Sequence, residues 1–273
     1  MTAVRKMLDL AACALELGTN PASSWALLWA QTKNLRVRGH VAHHHPKRVY
    51  SIDTTFGRLF FRDNFGDITN LTNLLHREVY AGVRPLDDGV VLDVGANIGL
   101  AAAWIAHRHP GHTTHCFEPV PDAARMIPLN CSQATVNQVA VGESAGQIEL
   151  RVDADGVIAS SIATRWATRP VRFQTIRLDD YVLQHDIADV ALLKIDAEGM
   201  ELSILFGATG TLSRTDQVAL ETHGLDRHRA VIDFLLGEGM SITCEAFQDT
   251  TGLVFAARSP VLATQFDGNR YRD

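Results

Sequence analysis

The chain has 273 residues, of which 46% are hydrophobic and 21% are charged, and it carries a formal net charge of −6. This composition is typical of a globular protein with one large domain or two small ones. The acidic balance argues against nucleic acid as the main partner, because phosphate binding needs a concentrated basic surface. No apolar run approaches the roughly 20 residues that cross a bilayer, which predicts no membrane span.

The cysteines and the N-terminal segment indicate where the protein resides. The four cysteines are far apart and form no CxxC pair, a pattern typical of reduced thiols rather than of disulfides or a zinc site. The first apolar stretch is interrupted by Asp9 and Glu16, whereas a signal peptide has an uninterrupted apolar core. We therefore predict a cytoplasmic protein.

Residues 1–85 are predicted to form an N-terminal cap of helices and one hairpin. The stretches MTAVRKMLDLAACALEL and PASSWALLWAQTKNL have helical spacing. RVYSIDTTFGRLFFRD alternates apolar and polar residues on both sides of residues 54–57, as a β-hairpin does. DITNLTNLLHREVYAGV returns to the helical period, with Ile68 and Leu71 on one face.

Residues 86–273 are predicted to form the main domain, in which strands and helices alternate. Apolar strands separated by helices imply a parallel sheet buried between two helical layers. SITCEAF and GLVFAAR then form an antiparallel hairpin that closes this mostly parallel sheet. The predicted strands are 90–95, 114–119, 136–142, 190–196 and 217–223, and the predicted helices are 98–108, 121–130, 199–214 and 226–238.

Residues 143–188 interrupt this alternation. QIELRVD and VRFQTIRLDDYV have the composition of strands, and GVIASSIATRW lies between them. We predict an insertion over the ligand-binding edge of the sheet, because segments in such positions commonly select the substrate.

The stretch VVLDVGANIGLAAAW, residues 90–104, indicates a strand, a glycine turn and a helix. Ligands of parallel sheets bind beyond the carboxyl ends of the strands, where helix N-termini present free N–H groups. Gly95 and Gly99 are expected to let the backbone approach a ligand, because glycine has no Cβ. Glu118 ends the next predicted strand, where a carboxylate can accept hydrogen bonds from both hydroxyls of a ribose. The stretch therefore predicts a cofactor that contains a nucleoside.

Two cofactor classes compete for this turn. Dinucleotide-binding folds use the pattern G-x-G-x-x-G, but Asn97 stands here in place of the second glycine. Asp93 precedes the turn and would repel a pyrophosphate, whereas it suits the cationic amine of S-adenosylmethionine. We therefore favour S-adenosylmethionine, and an NAD(P)-dependent oxidoreductase remains the alternative.

The chain resembles the FkbM family of S-adenosylmethionine-dependent methyltransferases from about Asp67 to about His223. The shared motifs are, in order, VLDVGANIG, CFEPVPDAARMIPLN, TIRLDDYV, LLKIDAEGMELSILFGA and LETH. The resemblance implies an α/β, class I (Rossmann-like) methyltransferase fold with a seven-stranded, mostly parallel sheet whose last strand is antiparallel. It also implies methylation of a hydroxyl of a small molecule, such as a sugar, a polyketide or another secondary metabolite. N-methylation remains an alternative.

The resemblance also implies a cofactor site around the glycine turn and the acid that follows it. Within this site, Val141 falls where the loop beside the adenine should lie. The residues that match are Asp93, Gly95, Ala96, Asn97, Gly99, Glu118, Pro119, Val141 and Asp196.

A second group of polar residues lies where the predicted strands 190–196 and 217–223 end. Asp196, Glu221 and His223 are expected to meet beside the methyl group of the cofactor, because neighbouring parallel strands are about 4.8 Å apart. An alcohol is a poor nucleophile at neutral pH, so its methylation needs a base or a divalent cation. His223 suits the base, because an unperturbed imidazole titrates near neutral pH. The predicted catalytic residues are therefore His223, Asp196, Glu221 and Lys194.

Other roles remain open for the same residues. Asp196, Glu198 and Glu221 could instead hold Mg²⁺ through their carboxylate oxygens. Lys194 is either catalytic or a structural partner of Asp196, since charges within strands are usually paired. Glu198 and Glu201 would also stabilise the following helix by placing negative charge at its N-terminus. The sequence predicts neither the acceptor nor the oligomeric state.

Overall fold

The computed structural model describes residues 19–25, 28, 48–76, 79–153, 159–161 and 167–258. The predicted helix MTAVRKMLDLAACALEL lies outside these residues. Parts of PASSWALLWAQTKNL and of GVIASSIATRW also lie outside them. Among the described residues, no helix is long and apolar enough to cross a bilayer.

Seven strands form the central sheet, in which five neighbouring strands are parallel and one strand runs against both of its neighbours. The antiparallel strand is the last one in the described chain. The predicted α/β fold, with a mostly parallel seven-stranded sheet, is confirmed. From one edge to the other the strands are β12 (Ser241–Gln248), β13 (Thr251–Ala257), β11 (Thr215–His223), β10 (Val190–Ile195), β3 (Val90–Val94), β4 (Thr114–Phe117) and β5 (Thr135–Asn137).

Helices cover both faces of this sheet. The helices are α1 (Phe65–His76), α2 (Leu100–Arg108), α3 (Pro121–Ala124), α4 (Ile127–Asn130), α5 (Leu178–Gln184), α6 (Glu201–Phe206), α7 (Thr209–Leu212) and α8 (Leu225–Gly237). One core cluster contains residues of α1, α2 and α3, and a second contains residues of α5 to α8. Every residue of β10 is buried, which explains why this strand is a nearly continuous apolar run.

The predicted N-terminal hairpin is confirmed as β1 (Val49–Thr54) and β2 (Gly57–Arg62), which pair in antiparallel register. Apolar residues of both strands pack in the same core cluster as Trp104 of α2. The hairpin therefore buries its apolar face against the elements that surround the glycine turn.

Asn130, at the end of α4, joins this hairpin to the glycine turn. Its side-chain oxygen accepts the N–H of Phe60 at 2.7 Å. Its side-chain nitrogen donates to the carbonyl oxygens of Phe60 at 2.9 Å and Ile98 at 2.8 Å. The N-terminal segment and the main sheet thus share both a core and hydrogen bonds, and the division of the chain near residue 85 stays a prediction.

A second, four-stranded sheet occupies much of the predicted insertion. The predicted strand 136–142 is wrong as a single element, because the chain turns at Val139, whose N–H donates to the carbonyl oxygen of Asn137. Its second half joins this other sheet. In order across the sheet the strands are β6 (Ala140–Val141), β9 (Ala167–Ile176), β7 (Gly146–Asp153) and β8 (Ala159–Ser160).

Three predicted boundaries need correction. The strand predicted over VRFQTIRLDDYV ends at Ile176, and α5 follows with Asp179 in its first turn, where negative charge is favourable. The predicted helices 121–130 and 199–214 are each divided into two short helices. In the first of them Pro128 starts a new helix, because proline has no N–H to bond to the preceding turn.

Candidate active site

The turn after β3 is shaped by contacts with neighbouring protein. Gly95, Asn97 and Gly99 have positive φ angles of 73°, 48° and 82°, which glycine adopts easily. A Cβ on Gly95 would lie 1.8 Å from the carbonyl oxygen of Asp196, and a Cβ on Gly99 would lie 3.0 Å from the Cα of Ile127. The prediction that these glycines also let the backbone approach a ligand stays a prediction. Both are required by close packing within the protein.

Glu118 follows β4 and is buried beside this turn. Its Oε2 accepts the N–H of Asn97 at 2.9 Å, and its Oε1 accepts the N–H of Val120 at 2.8 Å. Burial raises the pKa of Glu118 to about 7, although these two N–H groups oppose the shift. Each oxygen keeps a further acceptor direction. The arrangement fits a ribose, whose adjacent hydroxyls can both donate to one carboxylate.

The other residues matched to the cofactor motifs differ in their surroundings. Ala96 lies within the turn and is buried, whereas Pro119 is half-buried next to Glu118. Val141 is 4% exposed and packs in the core cluster that contains residues of α5 to α8. Because its side chain is enclosed by protein, the structure does not favour Val141 as a side-chain contact to adenine.

Asp93 and Lys194 form a buried ion pair between β3 and β10. Lys194 Nζ lies 2.8 Å from Asp93 Oδ1, without the angles of a directional hydrogen bond, and it donates to the carbonyl oxygen of Gly95 at 2.8 Å. Burial lowers the pKa of Lys194, but Asp93, Tyr80 and Asp196 raise it above its ordinary value. The predicted pairing of Lys194 with Asp196 is therefore wrong. Asp93 is neutralised by Lys194, so it is not an open acid for a cofactor amine.

Asp196, Glu221 and His223 meet at the carboxyl ends of β10 and β11, as the sequence predicts. One ligand atom from each lies within 4.8 Å of the others. Glu198 joins them from the loop after β10, with its Oε2 3.5 Å from His223 Nε2, and Glu221 Oε1 lies 3.8 Å from the same nitrogen. We call Asp196, Glu198, Glu221 and His223 the rim.

Glu201 supports the rim from the first residue of α6. It is fully buried, and its Oε1 lies 2.8 Å from His223 Nδ1 and accepts the N–H of Gly199 at 2.8 Å. Its other oxygen, Oε2, has no hydrogen-bond partner in the described part of the chain. The predicted favourable charge at the helix N-terminus is present, and the same carboxylate fixes the imidazole of His223.

The carboxylates of the rim set its protonation. Burial lowers the pKa of His223, but the hydrogen bond with Glu201 and the charges of Glu198, Asp196 and Glu221 raise it to about 10. Burial and Asp196 raise the pKa of Glu221 to about 8, and burial with Asp196 and Glu201 raises that of Glu198 to about 7. His223 is therefore protonated at neutral pH. The premise that it is a base with an ordinary pKa is wrong. Glu221, whose pKa is the lower of the two, ionises as the pH rises toward about 8 and is then the better proton acceptor.

The rim also has donors for a metal ion, although not in the predicted set. The structure brings Asp196 and Glu221 together with His223, and it places Glu198 against His223. The two carboxylates suit a hard cation such as Mg²⁺, whereas a protonated imidazole beside them opposes one.

A cavity of about 50 Å³ lies between the rim and the N-terminal segment. The sequence did not predict three of its polar lining residues, namely Asn70 and Asn73 of α1 and Tyr80 after it. The two asparagines are three residues apart and lie away from the buried Ile68 and Leu71. This polar stripe is visible in the sequence, but the surface that it faces is not.

Arg62 of β2 was also missed. Its Nε and Nη2 donate to Asp67 at 2.8 Å each, and both side chains are buried. Nη2 also lies 3.4 Å from the side-chain oxygen of Asn97. The hairpin therefore contacts the glycine turn, although it lies outside the family motifs.

The second sheet also touches the site. The N–H and the hydroxyl of Ser161, next to β8, lie 3.2 and 3.3 Å from the carbonyl oxygen of Glu198. This contact agrees with the expectation that residues 143–188 lie near the ligand edge of the main sheet.

Comparisons with known proteins identify the family of this chain. The chain is 28% identical over 214 residues to 31-O-demethyl-FK506 methyltransferase FkbM of Streptomyces tacrolimicus, a match that covers 63% of this chain and 82% of that protein. It is 26% identical over 188 residues to 2-O-methyltransferase NoeI of Sinorhizobium fredii, covering 59% and 76%. The crystal structure of methyltransferase FkbM from Methylobacillus flagellatus aligns at 17% identity with a TM-score of 0.41, over 92% of this chain and 59% of that one. Residues 93–242, more than half of the chain, match the Methyltransferase FkbM domain. This chain therefore belongs to the FkbM family and is a methyltransferase.

Proposed function

We propose that this methyltransferase transfers the methyl group of S-adenosylmethionine to a hydroxyl of a small molecule. The observation that carries the proposal is the position of the rim beside the glycine turn and the buried Glu118. Glu118 suits the ribose of the cofactor, and the rim suits the removal of a hydroxyl proton. The alternative of an NAD(P)-dependent oxidoreductase is set aside, because the family is one of methyltransferases.

The names of two relatives support oxygen as the methylated atom. One acts on a 31-O-demethyl compound and the other is named a 2-O-methyltransferase. The chemistry of the rim agrees with them. An alcohol must lose a proton as it is methylated, whereas a neutral amine can attack before it loses one.

In the proposed reaction, the ionised form of Glu221, which predominates above about pH 8, accepts the proton of the acceptor hydroxyl while the oxygen bonds to the methyl carbon. The bound cofactor supplies that electrophilic methyl group, and the electrons of the broken C–S bond remain on sulfur. Asp196, next to Glu221, raises the proton affinity of Glu221. His223, held as a cation by Glu201, offsets part of the negative charge of the rim. Alignment of the acceptor oxygen with the methyl group is the other main requirement.

A divalent cation held by Asp196, Glu198 and Glu221 is the second candidate for activating the hydroxyl. The convergence of Asp196 and Glu221 favours it. Bound Mg²⁺ would lower the pKa of a coordinated hydroxyl. Treatment with EDTA separates the two: activity lost to EDTA and restored by Mg²⁺ supports the cation, and activity unchanged by EDTA supports Glu221.

The cofactor is tested by calorimetric titration with S-adenosylmethionine, S-adenosylhomocysteine and NADH. We expect the first two to bind and NADH not to bind. Glu118→Gln should weaken S-adenosylhomocysteine roughly 10- to 100-fold, because an amide replaces a charged hydrogen-bond acceptor. Glu245→Gln is the matched control, since Glu245 is exposed on β12. Wild-type affinity in Glu118→Gln would show that the ribose lies elsewhere.

The acceptor is tested by a panel of hydroxyl compounds that includes sugars and polyketides, with release of S-adenosylhomocysteine as the measurement. Matched amines are included in the same panel. We expect turnover with at least one hydroxyl compound and a methyl ether as its product. Methylation of amines alone would replace the proposal with N-methylation.

A further inference from the structure

The cavity beside the glycine turn has two chemically different walls. One wall carries the carboxylates Asp196 and Glu221, together with residues 95–97 of the turn. The N-terminal segment contributes the other wall, with Asn70, Asn73 and Tyr80, which are neutral hydrogen-bonding side chains. We call these three residues the donor wall. Lys194 also lines the cavity, where it is paired with Asp93. The lining therefore combines charged residues of the main sheet with neutral side chains that can donate hydrogen bonds.

The donor wall is built by the fold of the N-terminal segment. Asn70 and Asn73 lie three residues apart on α1, so they share one face of the helix. The buried Ile68 and Leu71 of the same helix pack in the core. The Tyr80 ring packs against Trp104, with the ring centroids 6.0 Å apart. Core packing thus fixes the elements that carry the donor wall.

The donors of this wall have no protein partner in the described part of the chain. Neither the amides of Asn70 and Asn73 nor the hydroxyl of Tyr80 makes a hydrogen bond to another described residue. Burial raises the pKa of Tyr80, and Asp196, Asp93 and Glu221 raise it further, while Lys194 opposes them. The hydroxyl therefore stays protonated and can donate. Unpaired donors at a cavity are available to a ligand.

The amino-acid end of S-adenosylmethionine matches these two walls. Its ammonium group is attracted by Asp196 and Glu221, and these same acids repel its carboxylate. The carboxylate needs neutral or cationic donors on the other side. The cavity volume of about 50 Å³ has room for roughly four water-sized groups, which is close to the size of an amino and a carboxylate group together.

We propose that Asn73 and Tyr80, together with the more exposed Asn70, bind the carboxylate of the amino-acid end of the cofactor. This assignment rests on the proposed use of S-adenosylmethionine. All three residues precede residue 93, where the match to the family begins. The donor wall is thus a proposed part of the cofactor site that lies outside the matched domain.

The test compares ligands that differ only in the amino-acid end. S-adenosylhomocysteine, its decarboxylated analogue S-adenosyl-3-thiopropylamine and 5′-methylthioadenosine are titrated calorimetrically into the wild-type protein, Tyr80→Phe and Asn73→Ala. We expect each variant to lose roughly 10-fold in affinity for S-adenosylhomocysteine and to keep wild-type affinity for the other two ligands. Tyr50→Phe is the matched control, because Tyr50 lies on β1 and does not line the cavity.

Three results would overturn the assignment. The first is equal wild-type affinity for S-adenosylhomocysteine and its decarboxylated analogue. The second is an equal loss for all three ligands in the variants. The third is unchanged ligand binding with a raised KM for the acceptor, which would assign the donor wall to the acceptor instead.

Failure of the proposed function would look different. A protein that shows the expected discrimination but methylates no hydroxyl compound would disprove O-methylation and leave the carboxylate assignment intact. A wild-type protein that binds none of the three ligands would overturn both.

Discussion

Two histidines near the carboxyl end of β11 differ in charge at neutral pH, because His223 is a cation and His228 is neutral. His223 ends the strand, and its Nδ1 lies 2.8 Å from Glu201. His228 lies in α8, and its Nδ1 lies 2.8 Å from the hydroxyl of Thr222. Their side chains are 15% and 6% exposed, so burial is similar. Yet the pKa of His223 is raised to about 10, whereas burial lowers the pKa of His228.

The number of neighbouring carboxylates explains this difference. Four acids raise the pKa of His223 against the effect of burial. His228 has one, Glu245, which lies 3.8 Å away and is itself 56% exposed. Solvent weakens the effect of such an exposed charge. His223 is therefore a cation because four carboxylates surround it, one of them, Glu201, fully buried.

Packing around His228 indicates a structural role. A Cβ on Gly252 would lie 2.4 Å from His228 Nδ1 and 2.6 Å from the hydroxyl of Thr222. The ring also packs against Phe247, with the ring centroids 5.1 Å apart. The neutral His228 thus fills space and satisfies a buried hydroxyl, while the charged His223 belongs to the site.

The largest expected effect comes from removing the proposed proton acceptor beside the charged histidine. Glu221→Gln should lower kcat by roughly 10²- to 10⁴-fold, the usual contribution of a general base. S-adenosylhomocysteine affinity should fall by roughly 10-fold or less, because Glu221 also lines the cavity proposed for the ammonium group of the cofactor, whereas its role as proton acceptor affects turnover alone. Steady-state kinetics with an acceptor from the panel and calorimetry measure the two quantities.

The control for this prediction is the acid beside the other histidine. Glu245→Gln should leave both kcat and cofactor affinity unchanged. A wild-type kcat in Glu221→Gln would remove Glu221 from the reaction and leave the cation mechanism as the remaining candidate.

The second prediction concerns the neutral histidine and is expected to affect stability alone. His228→Ala should lower the free energy of unfolding by about 2–4 kcal/mol, because it leaves a cavity and an unsatisfied Thr222 hydroxyl. Thr222→Val keeps the volume but removes the hydrogen bond, and it should cost about 1–3 kcal/mol. Urea unfolding measures both values. Methyl transfer per folded molecule should stay at the wild-type level, and a selective loss of turnover would place His228 in the site.

The contrast between the two histidines also shows which features of the site can be predicted from the sequence. Alternating strands and helices predict the sheet, and the spacing of Asp196, Glu221 and His223 predicts their convergence. The sequence does not predict the charge of His223, because that charge depends on Glu198 and Glu201, whose distances from the imidazole are set by the loop after β10 and the start of α6.

Lys194 shows a second reason for a wrong prediction. Its spacing from Asp196 suggests a pair along one strand, but Asp93 is its cross-strand partner in the register of β3 and β10. Residues opposite each other on neighbouring strands lie closer than residues two apart in one strand. The register of a parallel pair is a tertiary property, and so is the position of Asn73 and Tyr80 across the cavity. Such partners become visible only when the chain is folded.

The smallest expected effect is a pH dependence of stability with opposite sign at the two histidines. The folded-state pKa of His223 lies above the ordinary value of 6.5, so its stabilisation is complete below pH 6.5 and is lost as the pH rises toward about 10. The folded-state pKa of His228 lies below 6.5. Its stabilisation is therefore complete above pH 6.5 and is lost as the pH falls.

His223→Asn and His228→Asn remove these titrations one at a time. The difference in unfolding free energy between wild type and His223→Asn should shrink with rising pH, and the difference for His228→Asn should shrink with falling pH. Each slope is limited to about 1.4 kcal/mol per pH unit, the value for one proton. Urea unfolding of the wild type and both variants at about pH 5, 7 and 9 measures both differences in free energy. Slopes of the same sign would mean that the surrounding carboxylates do not distinguish the two histidines, and His223 would then be a neutral imidazole available as a base.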